Sequence, residues 1–175
     1  MKFKIITFLL IIFILLSFGL PKSIQKKVEK EIIENFNVEN FDLTSVLVSS
    51  EIKKKLPSKF DDDNFFKIEK NKKRLGYAYI SKASSKTAQF DYLVLLDTNL
   101  IVLKTKVLIY REEYGGEIGS KRWLKQFEGK KGGDELKYGD DIMAISGATI
   151  SVRSMTNAMN NLLQSLKILN SNKVL

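Results

Sequence analysis

Three kinds of hydrophobic spacing follow one another along the chain. Ile5 to Leu20 is an uncharged, almost wholly apolar run. Ile24, Val28, Ile32 and Phe36 then recur every four residues among Lys and Glu, which predicts an amphipathic helix over Ser23–Phe36 with Ser23 as its N-cap. Ile52 to Phe60 is a shorter amphipathic stretch, broken by Pro57 and followed by Asp61, Asp62 and Asp63. From Phe65 the pattern changes. Phe66–Ile68, Leu75–Ser81, Phe90–Leu96 and Leu100–Tyr110 are rich in β-branched and aromatic residues and are separated by turn-like clusters, predicting three or four strands. Asp97-Thr98-Asn99 makes the last two an antiparallel hairpin. Alternation of Lys104 and Lys106 with Leu103, Thr105 and Val107 predicts a sheet with one solvated face. Finally Val152, Met155, Met159, Leu162, Leu163, Leu166 and Leu169 trace the stripe of a long helix.

The expected fold is therefore α+β: an antiparallel β-sheet over about Phe65–Tyr110, packed by helices near 24–36, 121–128 and 150–168. Ahead of it stands an N-terminal signal or anchor helix. The expected divisions are 1–20 (signal peptide or membrane anchor), 21–64 (a helical N-terminal segment) and 65–175 (the main domain). Basic Met1-Lys2-Phe3-Lys4 precedes the apolar run, the order of a secretory signal or an anchor. Ser17-Phe18-Gly19 suits cleavage after Gly19, while the length is near the roughly 17 residues that span a bilayer. Both outcomes place the folded part outside the cytoplasm, in the periplasm or on the outer membrane face.

Composition narrows the chemistry. The chain of 175 residues has 29 Lys and Arg against 20 Asp and Glu, net +9, with no His and no Cys. Cys/His zinc sites, His-ligated haem, thiolate-held clusters and Cys or Ser-His-Asp nucleophilic catalysis are excluded. Asp61–Asp63 lacks the glycine and bidentate Glu of a calcium loop and reads as a solvated turn, so no metal is expected. The basic charge suits anionic lipid, an acidic partner or a phosphorylated cofactor; nucleic acid is not expected, because the export segment removes the chain from it.

Two segments could carry a ligand. Arg111 to Ser120 holds Glu113, Tyr114, Gly115 and Gly116, where glycine allows unusual dihedrals and close approach; a tight strand-to-helix connection capped by Ser120, leading to Trp123, Leu124 and Phe127, is the plainer reading. Ser146-Gly147-Ala148-Thr149-Ile150-Ser151 puts small and hydroxyl residues at a helix N-terminus, where free N–H groups and the dipole favour an anion. A plain Ser or Thr cap is the commoner use of such residues.

Ser146-Gly147-Ala148-Thr149 with Ser151 resembles the flavinylation motif of the FMN-binding domain family, which occurs in subunits of the sodium-pumping NADH:quinone oxidoreductase and the Rnf complex. Glu113, Gly116, Trp123 and Phe127-Glu128-Gly129-Lys130 match, in order, its Glu-x-x-Gly loop and Trp-containing helix. The resemblance spans roughly Gly76 to Leu166. It implies FMN joined as a phosphoester to Thr149 by a separate flavin transferase, with Ser146 and Ser151 binding phosphate or capping the helix, and Gly147 and Ala148 keeping the backbone accessible. It further implies that the loop Glu113, Tyr114, Gly115, Gly116 approaches the flavin, with Trp123 or Tyr114 against the ring.

One position departs from the pattern. The family has Asp three residues before the motif Ser, where this chain has Met143; Asp140 and Asp141 lie further upstream. The upstream loop also lacks the Thr-Pro pair of the large complexes. The function implied is a membrane-associated, extracytoplasmic electron carrier with covalent FMN, partnered by the transferase and by redox proteins or a membrane electron-transfer complex. No catalytic residue is called for, since the cofactor supplies the chemistry. The alternative is a flavin-free or non-covalently FMN-binding adaptor at the membrane surface, which Met143 favours.

Overall fold

The computed structural model describes residues 20–175; the expected signal or anchor segment, 1–20, lies outside that range but for Leu20. Five strands run as an antiparallel meander in the order β1 (Asp42–Ser45), β2 (Phe65–Lys70), β3 (Lys73–Ser84), β4 (Gln89–Leu96) and β5 (Val102–Ile109). β1, from the segment read as helical, pairs with β2 from Asp42↔Glu69 to Ser45↔Phe66. The β4–β5 hairpin is present as expected. The Asp97 carboxylate accepts hydrogen bonds from the Asn99 and Ile101 N–H groups, each at 2.8 Å, which fixes the turn.

Helices cover both faces of the sheet. α1 (Lys22–Phe36) lies on one face, its Ile24, Val28 and Ile32 packed with Phe66, Ile68, Ala78, Ile80, Leu93 and Leu95. α4 (Thr149–Ser171) lies on the other, its whole apolar stripe from Val152 to Leu169 fully buried. Beneath α4 runs a layer of rings; Phe65 stacks on Tyr77 at 5.5 Å and meets Phe60 edge-on at 4.9 Å. Burial raises the titration of Tyr79 and Tyr92, so both phenols stay protonated. Two four-residue helices complete the fold, α2 (Ser50–Lys53) and α3 (Lys121–Leu124), the latter extended by a 3-10 turn to Phe127.

Covering both faces corrects the expectation of one solvated face. Lys104 and Lys106 do leave the core, but they reach the Glu31 carboxylate on α1, at 2.6 and 3.1 Å. Burial opposes ionisation of Glu31, yet hydrogen bonds and charge from Lys104 and Lys106 outweigh it and hold the carboxyl below its ordinary value. The polar stripe of β5 thus docks a helix. Ser23 does not cap α1, which starts one residue earlier behind Pro21 without a side-chain cap. Ser120 does cap α3, accepting the Trp123 N–H at 3.3 Å.

Candidate functional site

Thr149 is the first residue of α4, and its side chain is exposed. The chain reaches it through a turn in which Gly147 has φ +77°, with open space where a Cβ would stand. Ala148 occupies the N-cap position, so no side chain caps the helix. The plain Ser or Thr cap is therefore not how this segment is used, and the N–H groups of the first turn keep the vacancy that helix geometry gives them. Dipole and donors converge beside the Thr149 hydroxyl.

The upstream loop reaches this turn directly. Gly115 has φ +77°, and a Cβ built on it would stand 2.5 Å from the Ala148 methyl and 3.3 Å from the Tyr110 hydroxyl. Ala148 is buried in that contact rather than accessible. Ser151 is 3% exposed, and its hydroxyl lies 3.0 Å from that of Tyr110. This pairing ties the end of β5 to the first turn of α4, which leaves Ser151 a positioning part more than a surface donor. Ser146, Glu113, Gly116 and Tyr114 are exposed, Tyr114 at 77%.

Trp123 is buried, edge-on to Phe127 at 5.3 Å, and its indole N–H donates to the Met143 carbonyl at 2.8 Å. Gln126 completes a clamp: its amide oxygen accepts the Met143 N–H at 2.7 Å, and its amide nitrogen donates to the Trp123 carbonyl, also at 2.7 Å. Backbone bonds hold Met143, so its side chain stands 64% exposed. Asp141 is engaged in its own turn, accepting the Lys137 N–H at 2.9 Å. Tyr110 and Gln126 were not singled out from sequence. Tyr110 reads there as a strand end, and nothing local in Gln126 signals a bond 17 residues away.

Glu112, just before the loop, accepts the Thr87 N–H at 2.7 Å and hydroxyl at 2.9 Å. The Ser85 hydroxyl and these Thr87 donors hold its carboxyl down to about 2. The β3–β4 turn is thereby tied to the loop that carries Gly115.

The arrangement fits an esterified phosphate: an exposed hydroxyl, a glycine that leaves room for a modifying enzyme, and uncapped donors around the remaining charge. Residues 86–164 match the family model described as FMN-binding domain. Over that segment the chain is similar to FMN-binding domains. Its fold is similar to that in the crystal structure of Shewanella oneidensis NqrC, with a TM-score of 0.58 and 15% sequence identity over 89% of this chain and 100% of that one. No curated protein sequence matches the chain. The motif turn, the Gly115 loop and the Trp123 helix all lie inside the matched segment.

Proposed function

We propose that the chain is an extracytoplasmic, membrane-associated electron carrier holding FMN as a phosphoester on Thr149. The supporting observation is the pairing of an exposed Thr149 hydroxyl with an uncapped helix N-terminus, beside a glycine turn open to a transferase. Bound FMN supplies reversible electron uptake and release. The protein's part is attachment and orientation. Thr149 provides the oxygen, and the first-turn N–H groups of α4 balance the phosphate charge. Gly115 and Ala148 set the loop against the motif, and Tyr110 and Ser151 fix the helix start beneath it. Glu113 to Gly116 borders the same turn.

Maturation by a flavin transferase, export by the Ile5–Leu20 run and exchange with redox proteins or a membrane complex belong to the same proposal. A second reading, non-covalent FMN or none, is favoured by Met143 standing where the family has Asp. Co-expression in exported form with a flavin transferase, followed by denaturing gels read for flavin fluorescence, decides between them. A fluorescent wild-type band and a dark Thr149→Ala band are expected. A dark wild-type band, beside a fluorescent family member matured in the same cells, would refute covalent attachment.

A further inference from the structure

The described chain begins at the end of the sheet that carries Thr149. Leu20 and Pro21 line an open cavity of about 790 Å3 together with Ile109 and Arg111. Between those two, Tyr110 reaches the opposite face and meets Ser151 on the first turn of α4. Chain entry and motif thus lie at the same end of the sheet.

Five large apolar side chains are exposed among the described residues, and three of them, Tyr114, Met143 and Ile150, belong to the loop that meets Ala148, the segment leading into the motif and the start of α4. Tyr114 adjoins the Gly115–Ala148 contact, Ile150 follows Thr149, and Met143 is held out by the Trp123 and Gln126 clamp. The other end of the sheet has no such apolar group among the described residues; its β2–β3 turn presents Lys70, Lys72, Lys73 and Arg74, all exposed, whereas cations at the Thr149 end, Lys82, Lys86 and Arg111, stand with the apolar three.

We propose that the Thr149 end rests on a lipid bilayer, with Tyr114, Met143 and Ile150 entering the headgroup layer and the Lys70–Arg74 turn pointing away. The uncharged run Ile5–Leu20 lies outside the described residues but for Leu20, which stands at this same end, and that is what selects a membrane over a soluble partner. Glu113 and Glu117 stand here with Lys82, Lys86 and Arg111, charges of both signs, so contact depends on apolar insertion more than on charge, with an aromatic such as Tyr114 suited to the interface. The electron-carrier reading puts the flavin at this end. The bilayer contact itself does not depend on that reading.

The chain has no cysteine, so single-cysteine variants report from one place each. Full-length Tyr114→Cys, Ile150→Cys and Lys73→Cys, each carrying an environment-sensitive fluorophore, are reconstituted in phosphatidylcholine and phosphatidylglycerol vesicles containing headgroup-level nitroxide lipids. The labels at 114 and 150 should shift to the blue and be quenched, while the label at 73 does neither. Thermal unfolding of each variant confirms that it is folded. Unquenched labels at 114 and 150, or equal quenching at 73, overturn the proposal. Flavin attachment is read separately on the unlabelled wild-type chain, so quenching without flavin sinks only the electron-carrier reading, and flavin without quenching sinks only this one.

Discussion

Gly115 stands against Ala148 so closely that a Cβ built on it would lie 2.5 Å from the alanine methyl. The contact joins two segments more than thirty residues apart, the loop after β5 and the turn before α4. Both are needed at one point if the loop is to border a group on Thr149.

Gly115→Ala should therefore destabilise the protein by about 1–3 kcal/mol, from strain at φ +77° alone, with the methyl overlap adding to it. The loop must also swing from the motif, lowering flavin yield beyond the loss of folded protein. Urea unfolding and flavin content per folded chain check the two effects separately. A variant with wild-type stability and flavin content would contradict the described contact.

Tyr110 and Ser151 test the helix start. Tyr110→Phe removes one partner of a partly buried hydroxyl pair and should cost about 0.5–1.5 kcal/mol. Ser151→Ala should cost a similar amount, and the double variant less than the two together, because neither then leaves an unpaired hydroxyl. Strictly additive costs in a double-mutant cycle would show that the two do not interact.

Glu31 sets a pH dependence. Its folded carboxyl titrates below the ordinary 4.5, so its stabilisation is present above that value and is lost as pH falls through the folded value. Glu31→Gln leaves Lys106 without this anion and Lys104 with only the half-exposed Glu34, at 4.0 Å. The Lys104 and Lys106 side chains keep 24% and 34% of their surface exposed, which reduces the cost of breaking a buried pair to about 1–3 kcal/mol at neutral pH. The gap between wild type and variant should close on acidification below 4.5. A gap that stayed constant from neutral pH to about pH 3 would show that the carboxylate is not ionised by its lysines.

Met143→Asp restores the family residue at a position whose side chain is exposed and whose holding bonds are all backbone. Stability should change by less than about 0.5 kcal/mol, and flavin attachment should equal or exceed that of wild type. A fall in attachment with stability unchanged would mean that Met143 itself contributes to recognition.

Much of this was legible in the sequence, for a physical reason. Period-two runs and the four-residue stripes report local burial, so β2 to β5, the Asp97–Asn99 hairpin, the Ser120 cap and α4 could be read directly. β1 could not, since its four residues bury no side chain fully and its place depends on pairing with β2. Lys104 and Lys106 show the limit of alternation: it finds a polar stripe, but only tertiary structure decides whether water or Glu31 meets it. The motif was visible as residues; its uncapped start at Ala148 and the Tyr110 support were not, because both depend on contacts across the sheet.

The most direct test of the central claim is mass spectrometry of the tryptic peptide Tyr138–Arg153, taken from protein matured with a flavin transferase. It contains Ser146, Thr149 and Ser151, and fragmentation distinguishes them. The account predicts an FMN-sized increment, with loss of one water, on Thr149. An unmodified peptide from transferase-competent cells, or the increment on Ser146 or Ser151, would contradict it.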